Sequence, residues 1–136
     1  MPQVNVVAVL VAALSSFLLG GLWYSKLLFG PAWHRLNGGD LRKVGEEMRK
    51  THPAKVFGLS YLFAVIAALA YAWLVPPALD AATAAIQGLV VGAGVVAASF
   101  GINYQFASRG AGLWLIDGGY HALQFLIYGL ILGLWR

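Results

Sequence analysis

The chain has 136 residues, of which 60% are hydrophobic and only 10% are charged, and its formal net charge is +4. Soluble domains carry about 25% charged residues, so this composition, with a mean hydropathy of +0.76, predicts an integral membrane protein. The absence of cysteine excludes disulfides, thiol nucleophiles and cysteine-based metal sites.

Four apolar runs, of which the first three are uncharged, predict an all-α fold, an integral membrane four-helix bundle that forms a single membrane domain over residues 1–136. The first run is too long for a signal peptide, and no basic residue precedes it, so we expect it to remain as a span. The short turn at Pro76 and Pro77 predicts that spans two and three are antiparallel neighbours. The predicted spans cover about residues 4–25, 55–75, 81–104 and 113–135.

The only long hydrophilic stretch is the predicted cytoplasmic loop, residues 26–54. Asp40 is a good N-cap, and the pattern from there to Lys50 predicts a short amphipathic helix on the membrane surface. A solvated linker helix fits the same pattern. Pro53 is expected in the first turn of span two, where proline is tolerated.

Small residues recur along the predicted spans, where they let membrane helices approach closely. Spans three and four each contain a GxxxG pair, and span one has a small residue at every fourth position. Because such faces occur on all four spans, we expect the chain to form a homo-oligomer. The expected packing residues are Gly88, Gly92, Gly129, Gly133, Ala8, Ala12, Ser16 and Gly20.

The basic residues predict the orientation of the spans. Seven lysines and arginines lie from Lys26 to Lys55, in the loop between spans one and two and at the first residue of span two. Arg109 lies between spans three and four, whereas the opposite side has only Arg136. This positive-inside pattern predicts a protein of the cell (inner) membrane with both termini outside the cytoplasm. Since topology explains the basic residues, we expect membrane lipids as partners and no nucleic acid.

Asp117 and His121 are the unusual residues of span four. A carboxylate within a span is costly and needs a partner, a water-filled cavity or a proton. With about 1.5 Å of rise per residue, Asp117 lies roughly 6 Å and His121 roughly 12 Å inside from the start of the span. We therefore expect one cytoplasm-facing polar site formed by Trp23, Tyr24, Asn103, Asp117, Tyr120 and His121.

Two interpretations of Asp117 remain open. As a structural tie it would be bound by Arg109, Lys26, Asn103, or an indole or phenol proton. As a functional group it would accept a proton or bind a cation, with His121 as a relay partner, because the unperturbed pKa of histidine lies near neutrality.

Neither a metal site nor an enzyme active site is favoured by the sequence. Asp117 and His121 supply two ligands, whereas a metal site needs a third and usually a fourth. The glycine-rich stretches lack the strand–loop–helix context of phosphate-binding loops. We expect no cofactor and no metal, and without a nucleophile–base pair at defined spacing we lean against an enzyme.

Two stretches resemble the uncharacterised bacterial membrane family called domain of unknown function 1761. The first runs from Gly20 to Gly30 and is followed by Trp33, and the second runs from Leu115 to His121 and is followed by Gly129 and Gly133-Leu134-Trp135. This chain has Lys26 where the family typically has proline, and Pro31 where it has a basic residue. The resemblance implies a four-span membrane protein and no established activity.

These observations lead to three functional hypotheses. The first is a small oligomeric carrier or channel-like protein whose polar site takes protons or a small cationic or hydrophobic ligand. The second is a structural or assembly protein in which Asp117 ties helices together. The third, less favoured, is a membrane enzyme that modifies a lipid or another hydrophobic small molecule.

Overall fold

A computed structural model describes residues 3–39, 46 and 49–135 of the chain. Within these residues there are five helices and no strand, which confirms the predicted fold class. The amphipathic helix predicted from Asp40 to Lys50 falls largely outside the described residues. The helices are α1 (Val6–Trp23), α2 (Gly30–Leu36), α3 (Pro53–Leu74), α4 (Ala81–Phe106) and α5 (Ala111–Leu134).

All helices except α2 are long and apolar enough to cross a membrane. Many large apolar side chains on these four helices are exposed, for example Leu18 at 75% and Phe63 at 66%. Exposure of this kind fits a lipid-facing surface, because a bilayer solvates apolar side chains as well as a protein interior does. The chain is therefore a multi-pass membrane protein. We call the end of the bundle at which α1 and α4 stop, and where α2 lies, the α2 end.

Local sequence signals set the starts of the spanning helices. Asn5 Oδ1 accepts a hydrogen bond from the Ala8 N–H over 3.1 Å, and Asp80 Oδ1 accepts one from the Thr83 N–H over 3.0 Å. Both are N-caps that satisfy a free helical donor. Hydrogen bonds from Thr83 hold the pKa of the Asp80 carboxyl below its usual value. Pro53 begins α3, as predicted.

The closest packing in the bundle is between α4 and α5. A Cβ at Gly88 would collide with the Phe125 carbonyl group, and one at Gly129 would collide with the Ala84 carbonyl group. Gly92 and Gly133 face α5 and α4 in the same way, with a Cβ 2.5 Å from the His121 carbonyl oxygen and 2.6 Å from the Ala81 Cα, respectively. Both GxxxG pairs thus pack against a helix of the same chain, and they bring the backbones of α4 and α5 into contact.

The small face of α1 is also covered within the chain. Ala8 and Ala12 are fully buried and Ser16 is 5% exposed, while a Cβ at Gly20 would be in van der Waals contact with Tyr120. Helix α1 packs against α3 on one side and α5 on the other. This face therefore lies at the centre of the bundle.

Spans two and three, which were expected to be antiparallel neighbours, do not pack along each other. Helix α3 packs mainly on α1, and α4 packs mainly on α5. The Tyr71 hydroxyl donates a hydrogen bond to the Ala84 carbonyl oxygen near the turn that joins α3 and α4. Because the glycine faces of α4 fit α5 so closely, α5 and not α3 is the partner of α4, and the order across the bundle is α3, α1, α5, α4.

Helix α4 contains a π-helical segment at Gly92–Ala97. A π turn leaves backbone carbonyls without their usual α-helical partner. The carbonyl oxygen of Ala97, the last residue of this segment, accepts a hydrogen bond of 2.7 Å from the indole nitrogen of Trp114 on α5. The irregular segment is thereby tied to the neighbouring helix.

Replacing Gly129 by alanine tests the α4–α5 contact. The added methyl group must push the Ala84 backbone away, so we expect a loss of about 1–3 kcal/mol and a lower midpoint of thermal unfolding in detergent. Gly58→Ala is the matched control, since a Cβ there meets nothing within 4 Å and alanine favours a helix. Equal unfolding midpoints for the two variants would contradict this packing.

Candidate functional site

The Asp117 carboxylate accepts hydrogen bonds from three separate parts of the chain. The Tyr24 hydroxyl donates to Oδ1 over 2.6 Å, and the Trp33 indole N–H donates to the same oxygen over 3.1 Å. The Tyr104 hydroxyl donates to Oδ2. These donors lie at the end of α1, on α2 and on α4, so one side chain of α5 joins all of them at the α2 end.

Among the described residues, no cationic side chain pairs with Asp117. Arg109, one of its expected partners, donates from Nη1 to Asn37 Oδ1 over 2.9 Å, and its guanidinium carbon lies 5.9 Å from the centre of the Tyr104 ring. Hydroxyl and indole donors therefore stabilise the carboxylate. Hydrogen bonds to an ionised oxygen are about twice as strong as neutral ones, which offsets part of the cost of placing Asp117 in a span.

The backbone between α1 and α2 folds back so that Trp33 reaches Asp117. The Gly30 N–H donates to the Ser25 carbonyl oxygen over 3.0 Å. A Cβ at Gly30 would lie 2.5 Å from the Tyr24 carbonyl oxygen, so this approach requires glycine. The tight return of the chain is what places Tyr24 and Trp33 on the same carboxylate.

Two further hydrogen bonds join α1 to α5 around Asp117. The Trp23 indole N–H donates to the Ile116 carbonyl oxygen over 2.9 Å, and the Tyr120 hydroxyl donates to the Ser16 carbonyl oxygen over 3.0 Å. Aromatic donors therefore hold both sides of the carboxylate, and the α2 end is connected by side-chain bonds rather than by apolar packing alone.

His121 belongs to a second polar group, deeper in the bundle. Its Nδ1 lies 2.6 Å from Gln124 Oε1; because an amide oxygen only accepts, the ring carries a proton on Nδ1. The Gln124 amide nitrogen donates to the Tyr128 hydroxyl over 2.7 Å and to Ser16 Oγ over 3.2 Å. The Ser16 and Tyr128 hydroxyls also bind each other. Within the described part of the chain, His121 Nε2 has no hydrogen-bond partner.

Asp117 and His121 are not hydrogen-bonded to each other; each bonds to other described residues. The His121 ring stacks on Phe100, with centroids 5.0 Å apart and an interplanar angle of 13°, and it meets the Tyr120 ring edge-on at 4.9 Å. A proton passing between Asp117 and His121 would need a third group to carry it. The direct relay considered from the sequence is therefore not formed in this arrangement.

A cleft of about 700 Å³ lies between α3 and the pair α1 and α5. It exists because α3 packs on α1 and leaves the His121 region of α5 uncovered. Its α1 and α5 sides carry the polar residues, and its α3 side is mostly apolar. The polar lining residues are Ser16, Tyr24, Ser60, Tyr120, His121 and Gln124, and the aromatic ones among the rest are Phe17, Phe57, Phe63 and Phe125.

The structure brings together most, though not all, of the predicted site residues. Tyr24 contacts Asp117 directly, Trp23 binds the carbonyl oxygen of the preceding residue, Ile116, and Tyr120 binds the carbonyl oxygen of Ser16 on α1. Asn103 is exposed and does not line the cleft. The neighbouring Tyr104 takes the place on α4 that the sequence analysis assigned to Asn103.

Three side-chain hydrogen bonds to Asp117 and His121 were not identified from the sequence. Trp33 and Tyr104 bind Asp117, and Gln124 binds His121. Only Gln124 had a usable signal, because residues three positions apart lie on the same face of a helix. The other two contacts depend on how the loop and α4 are placed around α5.

The described residues include no group of three or more histidine, cysteine, aspartate or glutamate side chains that could hold a metal ion. Asp117 and His121 therefore remain two potential ligands that each bind other protein groups. The arrangement is suited to hydrogen bonding and to holding a neutral or cationic polar group.

Comparison with known proteins identifies the family of the chain. The model of the family described as "Protein of unknown function (DUF1761)" matches residues 7–133. The chain belongs to this family. The match includes all three donors to Asp117 and the whole His121 network, so both polar groups lie within the DUF1761 region. No curated protein and no solved structure matches the chain.

Asp117→Asn tests the role of the carboxylate at the α2 end. An amide is neutral and offers one acceptor oxygen in place of two, so the hydrogen bonds from Tyr24, Trp33 and Tyr104 lose the negative charge that strengthens them. We therefore expect a loss of about 1.5–3 kcal/mol in the free energy of unfolding and a looser α2. The measurement is thermal unfolding in detergent, together with maleimide labelling of an added cysteine at Ala32. Asp80→Asn is the matched control, because asparagine caps a helix as well as aspartate does. Unchanged stability and labelling in Asp117→Asn would contradict the tie.

Proposed function

We propose that this DUF1761 protein is a small carrier-like membrane protein that binds a hydrophobic or amphipathic small molecule in the cleft beside His121. The observation that carries this proposal is the combination of an apolar cleft with one polar wall. A volume of about 700 Å³ lies within the usual range of small-molecule sites, which have mostly apolar linings and a few placed polar groups.

His121 is the residue we expect to select the ligand. Its Nδ1–H is held by Gln124, so in the neutral ring Nε2 is an acceptor. A hydroxyl or a protonated amine on the ligand would donate to Nε2 while the ligand's apolar part contacts the phenylalanines of α3. This chemistry fits the hydrophobic or cationic ligand expected from the sequence.

The contacts support different roles for the two unusual residues. Asp117 accepts from Tyr24, Trp33 and Tyr104 and does not line the cleft, which favours the structural tie. His121 lines the cleft and keeps a free acceptor. An enzymatic function has less support, because the Ser16 hydroxyl binds Tyr128 and Gln124 rather than a base.

Self-association stays a prediction. The small residues on which it was based are covered by packing within the chain, as described for α1, α4 and α5. On α4, Gly94 and Ala98 are exposed small residues that remain free to contact another copy. We propose that any oligomer forms through this side of α4, away from the cleft.

We also propose that the α2 end faces the cytoplasm of a cell whose inner membrane holds the protein. The eight basic residues of the two loops support this orientation. Because the chain has no cysteine, single cysteines report on it directly. In intact spheroplasts a membrane-impermeant maleimide should label Gln3→Cys and leave Ala107→Cys unlabelled, and permeabilisation should allow both to react. The reverse pattern would invert the topology.

Photolabelling with a diazirine-bearing octanol tests ligand binding in the cleft. Ala67 lines the cleft and Ala70 is exposed outside it, so Ala67→Phe should reduce adducts on Phe57–Phe63 while Ala70→Phe should not. His121→Phe keeps an aromatic ring and removes the acceptor, and we expect about fivefold less labelling, because a hydrogen bond contributes about 1 kcal/mol.

The reference in this experiment is labelling of Phe106, which is 89% exposed and reports the probe dissolved in lipid. Adducts are counted by peptide mass spectrometry as a ratio to that residue. If the two alanine variants are labelled equally, or if His121→Phe has no effect, the proposed site is wrong.

A further inference from the structure

A second pocket lies at the α2 end and is distinct from the cleft, although Tyr24 lines both. It encloses about 500 Å³. Two cationic side chains and one imidazole line it, and no acidic residue is among its described lining. The lining residues are Tyr24, Lys26, Gly30, Pro31, His34, Arg35 and Gly39.

The cationic groups of this pocket have no acidic partner in the part of the chain that the structure describes. Lys26 and Arg35 are exposed and form no ion pair with any residue that the structure describes. In contrast, Arg109 at the same end of the bundle binds Asn37. Unpaired positive charge around a concave surface favours an anionic ligand.

His34 provides a second, independent observation. Its Nδ1 is buried and has no hydrogen-bond partner among the described residues. A buried polar atom without a partner costs free energy and calls for an explanation such as a missing ligand. The His34 ring also lines the pocket, where a ring N–H can donate a hydrogen bond to a bound anion.

The pocket is built on backbone that its surroundings hold in place. Trp33, which precedes His34, is fixed by its hydrogen bond to Asp117. At the other side Gly39, with a φ of +73°, donates its N–H to the His34 carbonyl oxygen over 3.0 Å. A pocket with fixed walls loses less conformational entropy when a ligand binds.

An exposed apolar segment adjoins the basic pocket. Directly after Lys26 come Leu27, Leu28 and Phe29, which are 85%, 45% and 37% exposed. Apolar side chains next to basic ones are typical of segments that insert into the membrane interface and attract anionic lipids. This favours a ligand with both an anionic head and an apolar tail over a small soluble anion.

We propose that this pocket binds the phosphate group of an anionic membrane lipid. The Arg35 guanidinium and the Lys26 ammonium donate to the phosphate oxygens, as these groups do in phosphate sites generally. His34 supplies a ring N–H, and the acyl chains lie along Leu27, Leu28 and Phe29. The proposal does not depend on any ligand in the cleft.

Native mass spectrometry of the detergent-purified full chain tests this site. The probes are dioleoyl phosphatidylglycerol, which is anionic, dioleoyl phosphatidylcholine, which is zwitterionic, and inorganic phosphate. We expect one phosphatidylglycerol to be retained at least about tenfold more tightly than phosphatidylcholine. The double variant Lys26→Gln with Arg35→Gln should lose that preference, because two charge-assisted interactions disappear. His34→Ala should weaken retention by a smaller factor.

The matched control is Arg49→Gln with Lys50→Gln, which removes the same charge from exposed positions outside the pocket. This control should keep the preference, and thermal unfolding checks that each variant is folded. If both double variants weaken binding equally, the attraction is diffuse and the proposal is overturned. If inorganic phosphate binds at Lys26 and Arg35 as tightly as the lipid does, the site is one for a soluble anion. No preference for phosphatidylglycerol in the unmodified chain would also overturn the proposal.

Discussion

A carboxylate within a membrane span has to be hydrogen-bonded, and the α2 end of this protein is arranged around that requirement. Asp117 receives its donors from Tyr24, Trp33 and Tyr104, which belong to three different parts of the chain. Each donor reaches the carboxylate only when its own segment is correctly placed. The carboxylate therefore couples the position of the loop after α1 to the position of α4. One charge thereby specifies a geometry that apolar packing in lipid leaves undetermined.

The close packing of α4 against α5 explains the cleft. Glycines on α4 and α5 let two backbones touch, as at Gly88 and Gly129, and this fit assigns α5 as the partner of α4. Helix α3 is then left with α1, and the cleft separates it from the polar residues around His121. The cleft therefore has a polar wall beside an apolar one because α4 approaches α5 closely and α3 approaches α1.

Much of the fold was accessible from the sequence, because hydropathy, proline and capping residues act locally. Pro53 begins its helix as expected, and Asp117 and His121 stand out in span four. The partners of those two residues were less accessible. Tyr104 rather than Asn103 faces Asp117, since the rotation of α4 depends on its glycine contacts and on the π-helical segment, which have no simple sequence signature. The predicted pairing of α3 with α4 failed for the same reason, because a short turn fixes the order of helices along the chain and not the contacts between them.

The cleft has exposed aromatic residues at its α3 side, with Phe57 at 62% and Phe63 at 66%. A molecule arriving there comes from the hydrocarbon phase and not from water. Each methylene group that dissolves in the bilayer contributes about 0.8 kcal/mol to partitioning, so a long-chain compound is concentrated by orders of magnitude before it meets the protein. In the proposed function, occupancy of the cleft would then depend on the mole fraction of the ligand in the membrane, and His121 would discriminate among lipid-soluble molecules by a single polar contact rather than extract them from solution.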